Sequence, residues 1–250
     1  MYEVIFNILD ELCEIFPGEY FHVGGDEAPK LQWMKCEKCQ AKMKELGFEN
    51  EEQLQGYFVN RVSDYLREKG KTVISWNESL KGGNLQEDNV IQMWMDKDRL
   101  CEKHNNRVIL SDFYHYYMDY PYEMTPLKKV YNYDDKVNGK VIGVETPIWT
   151  EYISNFDRMV YLCFPRFIAV AQNGWSRRKP AYETFEKDLL KIMKMYDTTN
   201  WAPREVWNRP FLIRHVKTAF RFAGTLNKEF ADKLRDDGRK RKQMKEIKKD

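Results

Sequence analysis

The chain has 250 residues, enough for one large domain with a sizeable core. Its 42% apolar and 14% aromatic content excludes a disordered chain. The net charge of +2 is uneven: Lys233–Asp250 carries +5 and the rest −3. The basic balance therefore belongs to the tail, and neither nucleic acid nor a membrane is expected as a partner.

Val4, Ile5, Ile8, Leu9, Leu12, Ile15 and Phe16 recur at helical spacing, so the chain opens in an amphipathic helix that Pro17-Gly18 ends. Tyr20 to Gly25 reads as a strand. Leu54, Tyr57, Phe58, Val62, Tyr65 and Leu66 form a second helical stripe, stopped by Gly70 at a C-cap position. Thr72 to Trp76 is the next strand. Val90 to Met95 is another, followed by a short helix through Leu100 and His104. Arg107 to Ser111 and Val141 to Val144 complete five candidate strands, and helices follow around Asp157–Ala171 and Tyr182–Tyr196. Alternation of helix and short apolar strand is the grammar of parallel α/β folds.

Polar and aromatic residues gather at the strand ends: Asp26-Glu27, Trp76-Asn77-Glu78, Trp94 and Trp149-Thr150-Glu151. That gathering suits the mouth of a (β/α)8 TIM-type barrel. A doubly wound sheet would use a switch point and a Gly-rich phosphate loop, and no G-x-G-x-x-G is present. About five of eight βα units are read here, over residues 1–225, with 226–250 a basic tail, helical or disordered.

Two patterns carry chemistry. In Tyr20-Phe21-His22-Val23-Gly24-Gly25-Asp26-Glu27, alternation puts His22, Gly24 and Asp26 on one face. The paired glycines invite close approach by a ligand or backbone. At the strand's end, Asp26 and Glu27 can reach one pocket from different directions. The second pattern is an aromatic two residues before a carboxylate, three times over: Trp76-x-Glu78, Tyr117-x-Asp119 and Trp149-x-Glu151. Spacing of two puts both on one face of an extended chain. There the ring covers a sugar's C–H face and the acid accepts from its hydroxyls.

The five cysteines, Cys13, Cys36, Cys39, Cys101 and Cys163, form no disulfide framework. Cys36-x-x-Cys39 lacks the second pair a structural zinc would need, so no metal is expected. A thioredoxin-like pair would sit at a strand-to-helix junction. These cysteines read as ordinary thiols, or one local disulfide.

His22-Val23-Gly24-Gly25-Asp26-Glu27 resembles the His-x-Gly-Gly-Asp-Glu signature of glycoside hydrolase family 20, the β-N-acetylhexosaminidases. Further landmarks follow in the family's order. Trp76, Trp94 and Trp149 resemble the tryptophans that wall its terminal-sugar pocket. Tyr117-Met118-Asp119 resembles its Tyr-x-Asp element, and Trp149-Thr150-Glu151 its Trp-x-Glu. Phe164-Pro165-Arg166 through Trp175-Ser176 resembles its final helix, with Gln172 where a Glu is usual.

The resemblance implies substrate-assisted retaining hydrolysis of terminal β-linked N-acetylglucosamine or N-acetylgalactosamine from glycans, without cofactor. Glu27 would be acid and base, Asp26 and Tyr117 would hold the substrate's acetamide, and His22, Asp119 and Glu151 would bind the sugar. The family's three earlier strands have no counterpart here, so the resemblance implies an N-terminally truncated barrel. Its open edges would self-associate. The alternatives are an impaired remnant that binds amino sugars weakly, or an interaction module built on the basic tail. Relatives are often exported, yet no signal peptide is visible, which leaves the compartment open.

Overall fold

The computed structural model describes residues 1–134, 137, 140–151 and 153–209. Five strands, β1 (Tyr20–His22), β2 (Thr72–Trp76), β3 (Val90–Met93), β4 (Val108–Leu110) and β5 (Val141–Val144), lie side by side in chain order. β1 runs parallel to β2 with Tyr20 opposite Thr72, and β2 runs parallel to β3 with Ile74 opposite Val90. Sequential parallel strands with helical connections are the winding of a (β/α) barrel, and they lack the order reversal of a doubly wound sheet.

The fold class is therefore as expected, and β2 and β5 keep the expected bounds. Three strands are shorter than expected. β1 ends at His22 because Gly24 (φ 79°) and Gly25 (φ 103°) turn left-handed. β3 ends before Trp94 and Met95, and β4 loses its terminal Arg107 and Ser111 to loops.

The described residues divide into two compact units: 1–109 with 137 and 140–142, and 110–134 with 143–151 and 153–209. The first holds α1 (Tyr2–Ile15), α2 (Leu31–Lys35), α3 (Glu37–Leu46), α4 (Glu51–Glu68), a 3-10 turn (Asn77–Gly82) and α5 (Leu100–Lys103). α4 begins where Asn50 Oδ1 accepts the Gln53 N–H at 3.1 Å, with Glu51 and Glu52 favouring the positive end of the helix dipole. It ends at Gly70 (φ 75°), as the Lys71 N–H reaches back to the Leu66 carbonyl at 3.0 Å. α4 packs Val62 and Leu66 against Val73 of β2 and Leu9 of α1, with Ile5, Phe6, Phe58 and Tyr65 around them. Each such side chain stabilises the unit by roughly 1.5–3 kcal/mol, and Leu66→Ala would cost about 2–5 kcal/mol.

α1 departs from its expected single stripe. Leu9 is buried, yet Val4 is 63% and Ile15 66% exposed. Its apolar residues thus span two faces, and only the Leu9 face meets this core.

The second unit holds α6 (Phe113–Tyr116), α7 (Leu127–Tyr131), α8 (Phe156–Cys163), α9 (Arg166–Trp175), α10 (Tyr182–Met195) and α11 (Arg204–Trp207). The single helix expected around Asp157–Ala171 is two helices, because Pro165 has no N–H to continue the ladder. α10 buries Tyr182, Phe185, Leu189 and Met193 at helical spacing, and Phe185 stacks on Tyr131 with ring centroids 4.3 Å apart. The basic tail lies outside the described residues. Among these, no helix is long and apolar enough to cross a membrane.

Candidate active site

In the first unit the sheet delivers His22, Trp76 and Trp94 toward the carboxyl ends of β1, β2 and β3. The β1–β2 ladder runs on past the strand: the Val23 N–H donates to the Ile74 carbonyl at 2.9 Å, and Trp76 N–H to the Gly24 carbonyl at 2.9 Å. Beyond that bond the chain turns at Gly24 and Gly25, so strand alternation does not govern Asp26. Glu27 itself has φ 45°, a left-handed conformation that costs a non-glycine residue roughly 1–2 kcal/mol. The turn leaves the Asp26 and Glu27 side chains exposed just past the strand.

Gly25 is required twice over. Its φ is 103°, and a Cβ there would lie 2.3 Å from the buried Ser79 Oγ. The Gly25 carbonyl accepts from Gln55 Nε2 at 2.7 Å. Buried Lys30 bonds Gln55 Oε1 and the Ala28 carbonyl, and pairs with Glu52 at 3.4 Å. Burial pulls the Lys30 ammonium below its usual pKa range, with Glu52 opposing. Lys30 and Gln55 thus clamp the carboxylate-bearing loop onto α4.

His22 lies edge-on to Trp76 at 5.0 Å, and its Nδ1 accepts from the Gly24 N–H at 3.0 Å. Trp76 is buried. Glu78 does not extend β2 as its spacing from Trp76 suggested, because it lies in the 3-10 turn. There both its oxygens accept from the Trp94 indole N–H, at 3.0 and 2.9 Å. Asn77 adds a second tie, accepting the Trp94 N–H at 3.1 Å and donating to the Met95 carbonyl at 3.1 Å. Burial raises the Glu78 pKa, the Trp94 bond opposes that, and the Asp26 charge adds to it.

In the second unit Tyr117 and Asp119 follow α6 in a buried loop. Asp119 Oδ2 accepts the Trp149 N–H at 2.8 Å, and Trp149 leans over Tyr117 at 6.0 Å. Asp119 is 2% exposed, and its Oδ1 is buried without a hydrogen-bond partner among the described residues. Burial raises its pKa, and the Glu151 charge contributes. Trp149 and Glu151 are exposed, and Thr150 between them has φ 67°, so this pair is not the extended one its spacing suggested.

The loop is held from below by Arg166, fully buried at the start of α9. Its guanidinium donates to the carbonyls of Met118 at 2.6 Å, Tyr120 at 2.8 Å, Thr125 at 3.0 Å and Leu162 at 2.8 Å. It also sits 4.4 Å over the Tyr122 ring. The structure therefore brings His22, Trp76 and Trp94 onto adjacent strands, with Asp26 and Glu27 past the first. It groups Tyr117, Asp119, Trp149 and Glu151 separately in the second unit. Lys30 and Gln55 are supporting residues that patterning did not single out as functional. Glu78, singled out beside Trp76, binds Trp94 instead, and the sequence marks Arg166 only as part of the Phe164-Pro165-Arg166 element. For Arg166 the adjoining Pro165, at a helix start, was the available signal.

All five cysteines are free thiols. No group of three or more metal-ligating side chains converges among the described residues.

Comparison with known proteins gives a consistent match. The profile of glycosyl hydrolase family 20, catalytic domain, matches residues 1–178. A β-hexosaminidase of Porphyromonas gingivalis is 33% identical over 198 residues, 70% of this chain and 25% of that protein. A β-hexosaminidase of Vibrio furnissii is 29% identical over 202 residues, 72% of this chain and 33% of its own length. Among solved structures, the family 20 exo-β-N-acetylglucosaminidase of Vibrio harveyi, in complex with N-acetylglucosamine, superposes with a TM-score of 0.70 at 29% identity. That match covers 83% of this chain and 36% of the other. The chain thus spans between a quarter and about a third of the length of these curated relatives.

Proposed function

Because the chain belongs to glycosyl hydrolase family 20, we propose that residues 1–225 carry catalytic residues of an exo-acting β-N-acetylhexosaminidase. Its substrates are glycans ending in β-linked N-acetylglucosamine or N-acetylgalactosamine. The observation that carries the reading is the turn after β1, which presents adjacent carboxylates, Asp26 and Glu27, at the carboxyl end of parallel strands beside Trp76 and Trp94. In parallel α/β barrels that end is where chemistry is done.

Hydrolysis of this kind departs from the two-carboxylate scheme. The substrate's own acetamide oxygen attacks the anomeric carbon, and Glu27 protonates the departing glycosidic oxygen. Asp26 accepts the acetamide N–H and stabilises the positive charge as the oxazolinium forms. Tyr117 aims the acetamide oxygen. Glu27 then takes a proton from water as the ring opens. Asp119 Oδ1, buried and without a hydrogen-bond partner among the described residues, is an acceptor ready for a sugar hydroxyl, which would relieve an unsatisfied group costing about 1–3 kcal/mol. Trp76, Trp94 and Trp149 supply apolar faces for the ring, with His22 beside Trp76 and Glu151 at the exposed rim. Self-association through the edges at β1 and β5 belongs to the same proposal.

The test compares chromogenic β-N-acetylglucosaminide, β-N-acetylgalactosaminide and plain β-glucoside. The acetamido sugars should turn over far faster, and a thiazoline mimic of the intermediate should inhibit. Equal rates on the glucoside would rule out acetamide participation. Saturable amino-sugar binding without turnover would favour a non-catalytic binder.

A further inference from the structure

The Cys36-x-x-Cys39 pair has no part in the proposed hydrolysis. It stands at a helix-to-helix junction, where α2 ends at Lys35 and α3 begins at Glu37. Cys36 is the N-cap of α3, with extended backbone (φ −84°, ψ 112°), and Cys39 is the third helical residue. The two residues thus stand three apart across the first turn of α3. Here the two thiols interact with each other, and both residues are half-buried.

Residues three apart on a helix have Cβ atoms about 5–6 Å apart, and a disulfide needs about 3.5–4.5 Å. Closing the bond therefore asks for a small shift, and the extended N-cap is where the chain can make it. The hydrogen bonds at stake are few: Cys36 N–H to the Trp33 carbonyl at 3.3 Å, and Gln40 N–H to the Cys36 carbonyl at 3.0 Å.

The two thiols differ in character. Cys36 is held below the usual thiol range by the Cys39 N–H first and the Cys39 thiol second, and then by the Lys38 amide and ammonium. Cys39 is pushed upward by burial and by its bond to Cys36. The other cysteines are built differently. Cys101 and Cys163 are buried, with Cys163 pushed up to about 11 by desolvation, and Cys13 lies half-buried on α1.

We propose that Cys36 and Cys39 form a thiol–disulfide exchange site whose substrates are low-molecular-weight disulfides. The Cys36 thiolate attacks one sulfur of the external disulfide. That S–S bond breaks, one thiolate leaves, and a mixed disulfide remains on Cys36. Cys39 gives up its proton and attacks the Cys36 sulfur, expelling the second thiolate. Two protein thiols are oxidised by two electrons, one external disulfide is reduced to two thiols, and the two protons pass to the released thiolates or to water.

The test treats the full chain with oxidised glutathione at neutral pH, blocks free thiols, and maps disulfides by mass spectrometry. The expected product is an internal Cys36–Cys39 bond, about 2 Da lighter than the dithiol and reversed by excess reduced glutathione. Cys39→Ser should stop at a glutathione adduct on Cys36, and Cys36→Ser should form no internal bond. Under limiting iodoacetamide, Cys36 of the unchanged protein should react at least about fivefold faster than Cys13. Equal labelling of Cys36 and Cys13, or a glutathione adduct that persists in the unchanged protein, would overturn the proposal.

Discussion

Arg166 offers the sharpest test of how the loop carrying Tyr117 and Asp119 is built. It is buried, and its donors go to four carbonyls, of which Met118, Tyr120 and Thr125 lie in the loop carrying Tyr117 and Asp119 or just beyond it. Replacing it with Met keeps much of the volume but orphans those three acceptors, at about 1–3 kcal/mol each. Removing a desolvated cation returns several kcal/mol. Taking both together, Arg166→Met should lower stability by about 3 kcal/mol. Arg166→Lys should do no better: one compact ammonium cannot span carbonyls that a planar fork bridges, and its charge stays buried. Urea unfolding of the variants reads these values from the transition midpoint. A loss below about 1 kcal/mol for Met, or full rescue by Lys, would refute the clamp.

Gly25→Ala should destabilise by about 1–3 kcal/mol, because alanine is strained at φ 103° and its Cβ would crowd Ser79 Oγ at 2.3 Å; thermal unfolding unchanged from wild type would count against the turn. Glu78 titrates above the usual 4.5 of a glutamate through burial, so its proton is bound more tightly in the folded state. The stabilisation this gives is complete below the unfolded value and is lost as pH rises through the folded one. Relative to Glu78→Gln, wild type should therefore gain stability as pH falls from neutral toward 4.5, and a difference constant with pH would contradict the assignment. With β1 and β5 at the sheet edges, sedimentation should show mass rising with concentration; a monomer throughout would remove self-association.

The parts legible in sequence were those set by local rules. Short apolar runs fixed β2 and β5, and Gly70 marked the end of α4. The glycine pair before Asp26 signalled a special backbone, although its left-handed turn, and with it the early end of β1, needed coordinates. The parts that were not legible depend on partners distant in the chain. Gln55 looks like any polar residue on a helix, yet it is buried because a carbonyl thirty residues away accepts its amide. Glu78 seemed paired with Trp76 by spacing, but the 3-10 turn redirects it to Trp94. In α1 the apolar spacing promised one buried face, while two faces share those residues, and periodicity alone cannot say which will find a neighbour. Asp119 and Tyr117 were singled out by pattern and family likeness, whereas the Arg166 cradle beneath them rests on carbonyls, which carry no side-chain signature.

The central claim is that the carboxylate pair after β1 performs the chemistry, with Glu27 as acid and base. The direct measurement is turnover of a β-N-acetylglucosaminide with an unactivated leaving group, by wild type and by Glu27→Gln at matched folded concentration. Wild type should hydrolyse it and the variant should lose at least ~100-fold in kcat, the low end for general acid–base catalysis. Near-equal rates, or no turnover by wild type, would contradict the account.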